Sequence, residues 1–433
     1  MIIREVGWIR SHADKLCPVL REKAIGWYRP YRYAPCFTQK PLRSFRSRRQ
    51  KIPVIVQGTE NGFRMVSLDL VAKSAGCNVK RKLALINAFS TDVNAQSLKA
   101  LVENDTVKRI WYDSEVKAVL DIASPTVGSS LLWDDEITGE GIVVAVLDTG
   151  IYAHADLDGR IVGFADFVKN RTEPYDDNGH GTHVAGCIAA SGRESGAKYR
   201  GPAPGARVVG VKVLNKVGMG SLSTVIEGIQ WCIDRKNIRI INMSLGSPAN
   251  MSYVDDPVCQ AVEKAWQDGI VVCVAAGNEG PEPQTVGSPG NHPVVITVGA
   301  SDDMNTMDTL DDKVAGFSSR GPTRDGHVKP DFLAPGVNIV SLRSPGSFID
   351  KQNKQSRVDS WYTSLSGTSM ATPVCSGVAA QLLQVNGSLS PDQVKSLLRE
   401  TAMDLFGLDP NVQGAGMING QAAAAAAAKK EDK

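Results

Sequence analysis

Several features that define other classes of protein are missing from this sequence of 433 residues. No apolar run approaches the roughly 18–20 residues that a membrane-spanning helix needs. The first forty residues alternate charged and apolar positions and lack the continuous apolar core of a signal peptide. The eight cysteines are scattered without C-x-x-C spacing, which gives no indication of a metal site. These absences predict a cytoplasmic protein, whose release would need a non-classical route.

Positive charge is concentrated at one end of the chain. Residues 1–51 hold thirteen Lys or Arg against three Asp or Glu, although the net charge of the whole chain is only +2. We interpret this segment as a basic N-terminal leader that forms a solvated, poorly ordered arm. Recruitment of the leader to a polyanion is the alternative, but we expect no membrane partner and no nucleic-acid partner.

The pattern changes at residue 52, where a first folded domain is predicted. Its strands are expected at 52–57, 83–89 and 107–112 and near 76–82, and its helices at 63–77 and 94–104. This alternation predicts a small α+β domain of ferredoxin-like type over residues 52–113. The polar residues 114–134 contain Gly, Ser and Pro and are interpreted as a linker.

Residues 135–420 show the pattern of a larger α/β domain. Buried strands are predicted at 142–147, 208–214, 238–243, 270–276 and 294–298, and helices at 223–235 and 257–268. Near-continuous apolar strands that alternate with helices predict a mostly parallel sheet covered on both faces. Residues 421–433, with an alanine run and mixed charges, are interpreted as a frayed low-complexity tail.

Four polar side chains that suit catalysis are predicted on one edge of this sheet, because ligands gather at the carboxyl ends of parallel strands. Asp148 ends the first strand, and Asn278 follows the strand at 270–276. His180 lies where a loop enters a helix, and Ser369 lies at or near the first residue of another helix. Each residue alone can be a turn or capping residue. Their joint placement on one edge favours a catalytic site.

Three motifs carry a family resemblance. They are Asp148-Thr149-Gly150, His180-Gly181-Thr182-His183 and Gly367-Thr368-Ser369-Met370-Ala371. In this order they resemble the signatures of the subtilisin-type serine proteases, and the resemblance covers roughly residues 135–420. It implies a three-layer subtilisin-like fold and an enzyme that hydrolyses peptide bonds. Residues 52–113 resemble that family's propeptide, and the chain most resembles the bacterial intracellular alkaline serine proteases.

The resemblance implies a role for each of the four polar residues. Ser369 would be the nucleophile of an acyl-enzyme mechanism, His180 its general base and later its acid, and Asp148 the carboxylate that orients His180. Asn278 would donate to the oxyanion together with the backbone N–H of Ser369. His183 lies one turn further into the helix and is interpreted as structural.

Small residues match the places where the family binds a peptide main chain as an added strand. The implied substrate-binding residues are Gly218, Gly220, Ser244, Leu245 and Gly246 for main-chain pairing, Leu222 for the S4 rim, and Gly277, Glu279 and Gly287 for the S1 pocket. The small S1 residues imply broad specificity with a preference for large apolar P1 side chains. Glu279 would also tolerate a basic P1 residue.

The resemblance leaves open whether the chain binds a structural calcium ion. The chemistry requires no cofactor, but many relatives hold a structural Ca²⁺ through an Asp soon after the catalytic Asp, a place that Asp156 fits. Ca²⁺ takes six to eight oxygen ligands, whereas the expected ligand loop, residues 191–198, carries Arg and Lys in place of Asn. Asp176 and Asp177 could supply another site, although we favour a role in shaping the loop before His180.

The resemblance also implies a zymogen that processes itself. The prodomain would act as an intramolecular inhibitor whose tail enters the substrate cleft, and Ser369 would cut the chain between about residues 112 and 130, near Leu120. We expect a monomer that acts on polypeptides. The alternative is a catalytically silent peptide-binding module, which a missing triad residue or oxyanion amide would have indicated; none of them is missing.

Overall fold

The computed structural model of the chain describes residues 6–29, 31, 36–59, 68–113, 115–118, 125–304, 312–405 and 407–430. The chain divides into two compact units, Met1–Ser114 and Glu115–Lys433. Among the described residues, no helix is both long enough and apolar enough to cross a membrane.

The first unit contains a small antiparallel sheet. Its strands are β1 (Ile52–Gly58), β2 (Arg81–Leu83), β3 (Ala88–Val93) and β4 (Val107–Tyr112), and its helices are α1 (Gly7–Ser11), α2 (Pro18–Gly26), α3 (Cys36–Arg49), α4 (Leu68–Ser74) and α5 (Ala95–Val102). The strands pair in the order β2-β3-β1-β4. The predicted strand at 83–89 is interrupted, because Asn87 adopts a left-handed conformation (φ 52°) after a short 3-10 helix, Ala84–Ile86. Part of the predicted helix at 63–77 lies outside the described residues.

Much of the basic leader packs within this first unit. Leu16 forms a parallel bridge with Ile110 of β4, and Leu20 and Trp27 are fully buried. The prediction of a solvated, poorly ordered arm is therefore wrong for residues 6–29. The leader was hard to interpret from sequence because its apolar residues come in short groups between charged ones, while the partner strand lies almost a hundred residues away.

The second unit is built on an eight-stranded sheet. Its strands are β6 (Val143–Asp148), β7 (Ile161–Asp166), β8 (Arg207–Lys212), β10 (Ile240–Met243), β12 (Val271–Ala275), β13 (Ile296–Asp302), β14 (Lys313–Val314) and β15 (Phe332–Pro335). They pair in the order β14-β13-β12-β10-β6-β8-β7, and β15 also pairs with β13. Every pairing is parallel except that of β13 with β14. The predicted mostly parallel sheet is confirmed.

The described residues of the second unit also form eight helices. They are α6 (His180–Ala189), α7 (Leu222–Asp234), α8 (Pro257–Gln267), α9 (Phe348–Gln352), α10 (Thr368–Val385), α11 (Pro391–Glu400), α12 (Pro410–Gln413) and α13 (Gly420–Ala428). Short 3-10 helices span Pro125–Val127, Ser129–Leu132, Ala155–Leu157, Arg193–Ser195, Tyr253–Asp255 and Lys354–Ser356. Helix α7 packs against α8, and α6 packs against α10. All residues of β6, β10 and β12 are buried, as expected for a sheet with helices on both faces.

The alanine-rich segment near the C-terminus forms helix α13. The side chain of Asn419 caps the helix by accepting a hydrogen bond from the N–H of Ala422 at 3.0 Å. Ala423, Ala424 and Ala427 are buried, and the helix packs against α10 and α11. The prediction of a frayed tail is therefore wrong as far as the end of α13. Alanine has the highest helix propensity, and its small side chain lets two helices approach closely.

Two smaller sheets complete the second unit. In one, β5 (Glu115–Ala118) lies between β9 (Met219–Ser221) and β11 (Leu245–Gly246) and is antiparallel to both. In the other, β16 (Ile339–Leu342) pairs with β17 (Tyr362–Leu365).

Candidate active site

Asp148 is the last residue of β6, a central strand of the large sheet, and it is fully buried. Its Oδ1 atom accepts a hydrogen bond from Nδ1 of His180 at 2.6 Å and another from the N–H of Thr149 at 2.7 Å. Its Oδ2 atom is buried and receives no hydrogen bond from the described residues. The imidazole is therefore the main side-chain partner of this carboxylate.

His180 is the first residue of α6, and the loop before it is held by Asp176. Gly179 precedes the helix with a φ of 106°, a conformation that favours glycine. The Asp176 carboxylate accepts hydrogen bonds from the N–H groups of Gly179 at 2.8 Å and Thr182 at 2.9 Å, and from the Thr149 hydroxyl at 2.9 Å. Asp176 therefore ties the turn after Asp148 to the helix that carries His180.

A buried lysine also holds this loop in place. Lys212, the last residue of β8, donates to the carbonyl oxygen of Thr149 at 2.5 Å and to Oδ1 of Asp177 at 2.8 Å. Lys169 donates to the other carboxylate oxygen of Asp177 at 2.6 Å. Burial alone would raise the pKa of Asp177, but the hydrogen bonds from Lys169 and Lys212 hold that pKa below its usual value. Asp177, in the loop before His180, is thus held in place by two cations, Lys169 and Lys212. This agrees with the role in shaping the loop that was favoured above.

Ser369 is the second residue of α10 and is fully buried. Its hydroxyl donates to the carbonyl oxygen of Ser244 at 3.1 Å, and the Ser244 hydroxyl donates back to the carbonyl oxygen of Ser369. Asn242 of β10 donates to the Ser244 hydroxyl at 3.0 Å. The start of α10 is thereby fixed to the carboxyl end of β10.

The amide of Asn278 is oriented by Thr368, the residue before Ser369. Its Oδ1 atom accepts from the Thr368 N–H at 2.8 Å and from the Thr368 hydroxyl at 3.1 Å. The two N–H donors of the Asn278 amide are not used by these bonds. Sequence reasoning did not assign this orienting role to Thr368, although the residue lies inside the serine motif.

A cavity of about 530 Å³ adjoins Asn278. Its wall contains the three residues predicted for S1, Gly277, Glu279 and Gly287, together with Leu245 and Gly246. The structure therefore brings the predicted pocket residues together at one side of Asn278. Sequence reasoning did not assign Asn250 or Gln284, which also line the cavity.

The two segments predicted to pair with a peptide backbone hold a strand of the chain itself. Lys117 of β5 lies opposite Met219 on one side and Gly246 on the other. Gly218 turns the chain before β9 with a φ of 76°, and a Cβ atom at Gly220 would overlap the carbonyl group of Val213. Gly218 is therefore favoured by its backbone conformation, and Gly220 by the close approach of another part of the backbone.

The remaining predicted substrate residue, Leu222, is the first residue of α7. Ser221 caps this helix by accepting a hydrogen bond from the N–H of Thr224 at 3.2 Å. Leu222 follows β9 directly and its side chain is buried. The predicted residues of the cleft therefore fall into two groups, one on β9 and the start of α7, and the other around β11 and the cavity.

The surroundings of Asp156 do not fit a calcium ion. Its carboxylate accepts hydrogen bonds from the Tyr362 hydroxyl at 2.7 Å and from the N–H groups of Gly192 at 3.0 Å and Glu194 at 3.1 Å. Ca²⁺ needs six to eight oxygen ligands with available lone pairs, whereas these neighbours are donors. The described residues contain no group of three or more His, Cys, Asp or Glu able to hold a metal. The interpretation of Asp156 as a metal ligand is corrected accordingly.

His183 is fully buried inside α6 and differs from His180 in its partner. Its Nε2 atom lies 3.1 Å from the carbonyl oxygen of Thr363. Burial, together with the nearby His180, lowers the pKa of His183 to about 3. A side chain that stays neutral and contacts a backbone carbonyl supports the structural role predicted for His183.

Comparison with known proteins defines the class of this chain. Residues 139–420 match the family model described as the subtilase family, so the chain belongs to the subtilases. It is a bacterial serine protease of the subtilisin type, a hydrolase of the EC 3.4.21 class. The predicted resemblance to the subtilisin-type proteases and the predicted subtilisin-like α/β fold with a mostly parallel sheet are confirmed.

Individual relatives match most of the chain. Serine protease AprX of Bacillus subtilis (strain 168) is 48% identical over 432 residues, which cover 96% of this chain and 97% of that protein. Subtilisin E of the same strain is 36% identical over 368 residues, 82% of this chain and 85% of that protein. The structure of fervidolysin from Fervidobacterium pennivorans, a keratinolytic enzyme related to subtilisin, matches with a TM-score of 0.69 and 25% identity, over 87% of this chain and 61% of that one.

The free energy of unfolding should decrease as the pH falls from about 6.5 towards 3, in part because of His183. In this window the folded state keeps His183 neutral, while the exposed imidazole of the unfolded chain takes up a proton, so the unfolded state is favoured as pH falls. His183→Gln removes the titrating group and should flatten the slope by up to about 1.4 kcal/mol per pH unit. Chemical denaturation of both proteins in a Ser369→Ala background measures the difference, and equal slopes would contradict the assignment.

Proposed function

We propose that this protease is an endopeptidase that cleaves peptide bonds through an acyl-enzyme formed on Ser369. The observation that carries the proposal is the 2.6 Å hydrogen bond between His180 and Asp148 at the end of β6. It supports a general base whose Nδ1–H is fixed by a carboxylate, which leaves Nε2 as the atom that accepts a proton. In this mechanism His180 takes the proton of the Ser369 hydroxyl and later gives it to the leaving amine.

The start of α10 suits the negative charge that develops on the substrate. Attack by Ser369 converts the carbonyl oxygen of the scissile bond into an oxyanion. Two donors are proposed for it: the backbone N–H of Ser369 in the first turn of the helix, and the amide of Asn278. The hydrogen bonds from Thr368 to Asn278 fix the amide before the substrate binds, so that no reorientation is needed during the reaction.

Strand β5 indicates how a substrate would bind. An extended peptide that replaces β5 would pair with β9 and β11 through main-chain hydrogen bonds, largely independently of its side chains. We therefore propose broad specificity, restricted mainly by the cavity next to Asn278. Small residues at Gly277 and Gly287 leave room for a large apolar P1 side chain, and Glu279 adds a carboxylate for a basic one. A peptide series that varies only the P1 residue tests this preference.

Asn278→Ala should lower kcat by about 10²–10³ and leave KM close to its original value, because the amide acts on a charge present only in the transition state. Gln352→Ala removes an exposed amide from α9 and serves as the matched control, for which we expect unchanged kinetics. Steady-state kinetics on a chromogenic peptide measure both variants. An Asn278→Ala enzyme that retained full kcat would exclude the proposed oxyanion role.

We also propose that the chain is a zymogen that processes itself and that the first unit then acts as an inhibitor. Support comes from β5, which follows the first unit directly and lies between β9 and β11 in the place proposed for substrate. The predicted cleavage near Leu120 lies outside the described residues, within the segment 119–124 that follows β5.

Ser369→Ala should accumulate as the full chain of 433 residues, whereas the unmodified protein should yield a fragment that begins between residues 113 and 130. Intact-mass measurement and N-terminal sequencing of both proteins, made in a cell-free system without other proteases, give the result. Addition of the mature enzyme to the Ser369→Ala chain separates cleavage within one molecule from cleavage between molecules. The same N-terminus in both proteins without added enzyme would rule out self-processing.

A further inference from the structure

A half-buried arginine occupies the centre of an oxygen cluster at the far end of α6. Arg160 donates through Nη1 to the carbonyl oxygens of Ala189 at 2.6 Å and Ala206 at 3.2 Å, and through Nη2 to the carbonyl oxygen of Asp156. Ala189 is the last residue of α6, so its carbonyl has no partner within the helix. A positive charge at this helix end is also favoured by the helix dipole.

The Asp156 carboxylate next to this cluster fixes the loop that follows α6, residues 191–200. It accepts from the N–H groups of Gly192 and Glu194 in the loop and from the hydroxyl of Tyr362 on β17. The rings of Tyr362 and Tyr199 lie 4.9 Å apart, so the far end of the loop is also anchored. The loop is therefore held in place by hydrogen-bond donors and an aromatic contact from the protein itself.

We propose that the guanidinium of Arg160 takes the place of a bound cation. Together with Asp156 and Tyr362 it holds the loop that follows α6. The stability of the second unit is therefore independent of calcium. Carbonyl oxygens beside a carboxylate are the ligands that a hard divalent cation prefers. Here the Arg160 guanidinium donates hydrogen bonds to the carbonyl oxygens, and hydroxyl and N–H groups donate hydrogen bonds to the Asp156 carboxylate. A metal ion would have to displace all of them.

A second oxygen cluster in the same unit is neutralised in the same way. The Asp331 carboxylate lies 2.6 Å from Nζ of Lys329 and 3.0 Å from Nζ of Lys395. Both ammonium groups also donate to the carbonyl oxygen of Val295 at 2.9 Å. Lys329 and Asp331 are almost fully buried. In this cluster too, the cations that face the carboxylate and the carbonyl oxygens are side chains of the protein itself.

The experiment compares melting temperatures in the Ser369→Ala background, where self-digestion does not interfere. The parent protein is measured after dialysis against EDTA and again with millimolar CaCl₂, and native mass spectrometry records any bound calcium. Arg160→Met is measured under the same two conditions. Arg239→Met is the matched control, because Arg239 also donates to two carbonyl oxygens, those of Gly387 and Leu389, and its bond to Gly387 is solvent-exposed.

We expect EDTA and calcium to leave the melting temperature of the parent unchanged, with no calcium bound. Arg160→Met should melt about 5–10 °C lower, since charged hydrogen bonds to three carbonyl groups are lost, and trypsin should then cut the 191–200 loop faster. Arg239→Met should shift the melting temperature far less. A parent protein that loses stability in EDTA and regains it with calcium would overturn the proposal without any variant. An Arg160→Met protein that behaves like Arg239→Met would overturn it as well.

Discussion

The hydrogen bond between His180 and Asp148 is the interaction on which the rest of the site depends. It joins two elements that are separate in sequence, the end of a central β-strand and the start of a helix, at a distance of 2.6 Å. Asp176 holds the loop that precedes the helix, and Lys212 supports the same loop from β8. The charge of Asp148 is therefore placed by a rigid sheet, and the imidazole is placed by a capped helix, before any substrate binds.

The proposed substrate cleft lies on the small sheet formed by β11, β5 and β9. Strands β9 and β11 are separated by the width of one strand, and the chain's own β5 fills that space through backbone pairing. A cleft that recognises backbone accepts many sequences, so selectivity must come from side-chain pockets such as the cavity beside Asn278. The proposals for broad specificity and for self-inhibition thus rest on one geometric feature, a gap in a small antiparallel sheet.

The elements predicted best from the sequence are those that a local pattern of apolar residues identifies. Apolar strands such as β6 were recognisable because both faces are buried, and Asp148, His180 and Ser369 stood out because each lies at the end of a strand or at the start of a helix. Long-range features were missed. The bridge from Leu16 to Ile110 joins distant segments of modest hydrophobicity, and the carbonyl cluster around Arg160 is assembled from three separate segments of the chain, so no sequence window contains it.

The central claim is that Ser369, activated by His180, is the nucleophile of this protease. Labelling of the active enzyme with a fluorophosphonate, followed by peptide mapping, tests it most directly, because the reagent bonds covalently only to an activated serine. We expect one label per chain, located on Ser369, and loss of labelling in His180→Ala. A label on another serine, or undiminished labelling in His180→Ala, would contradict it.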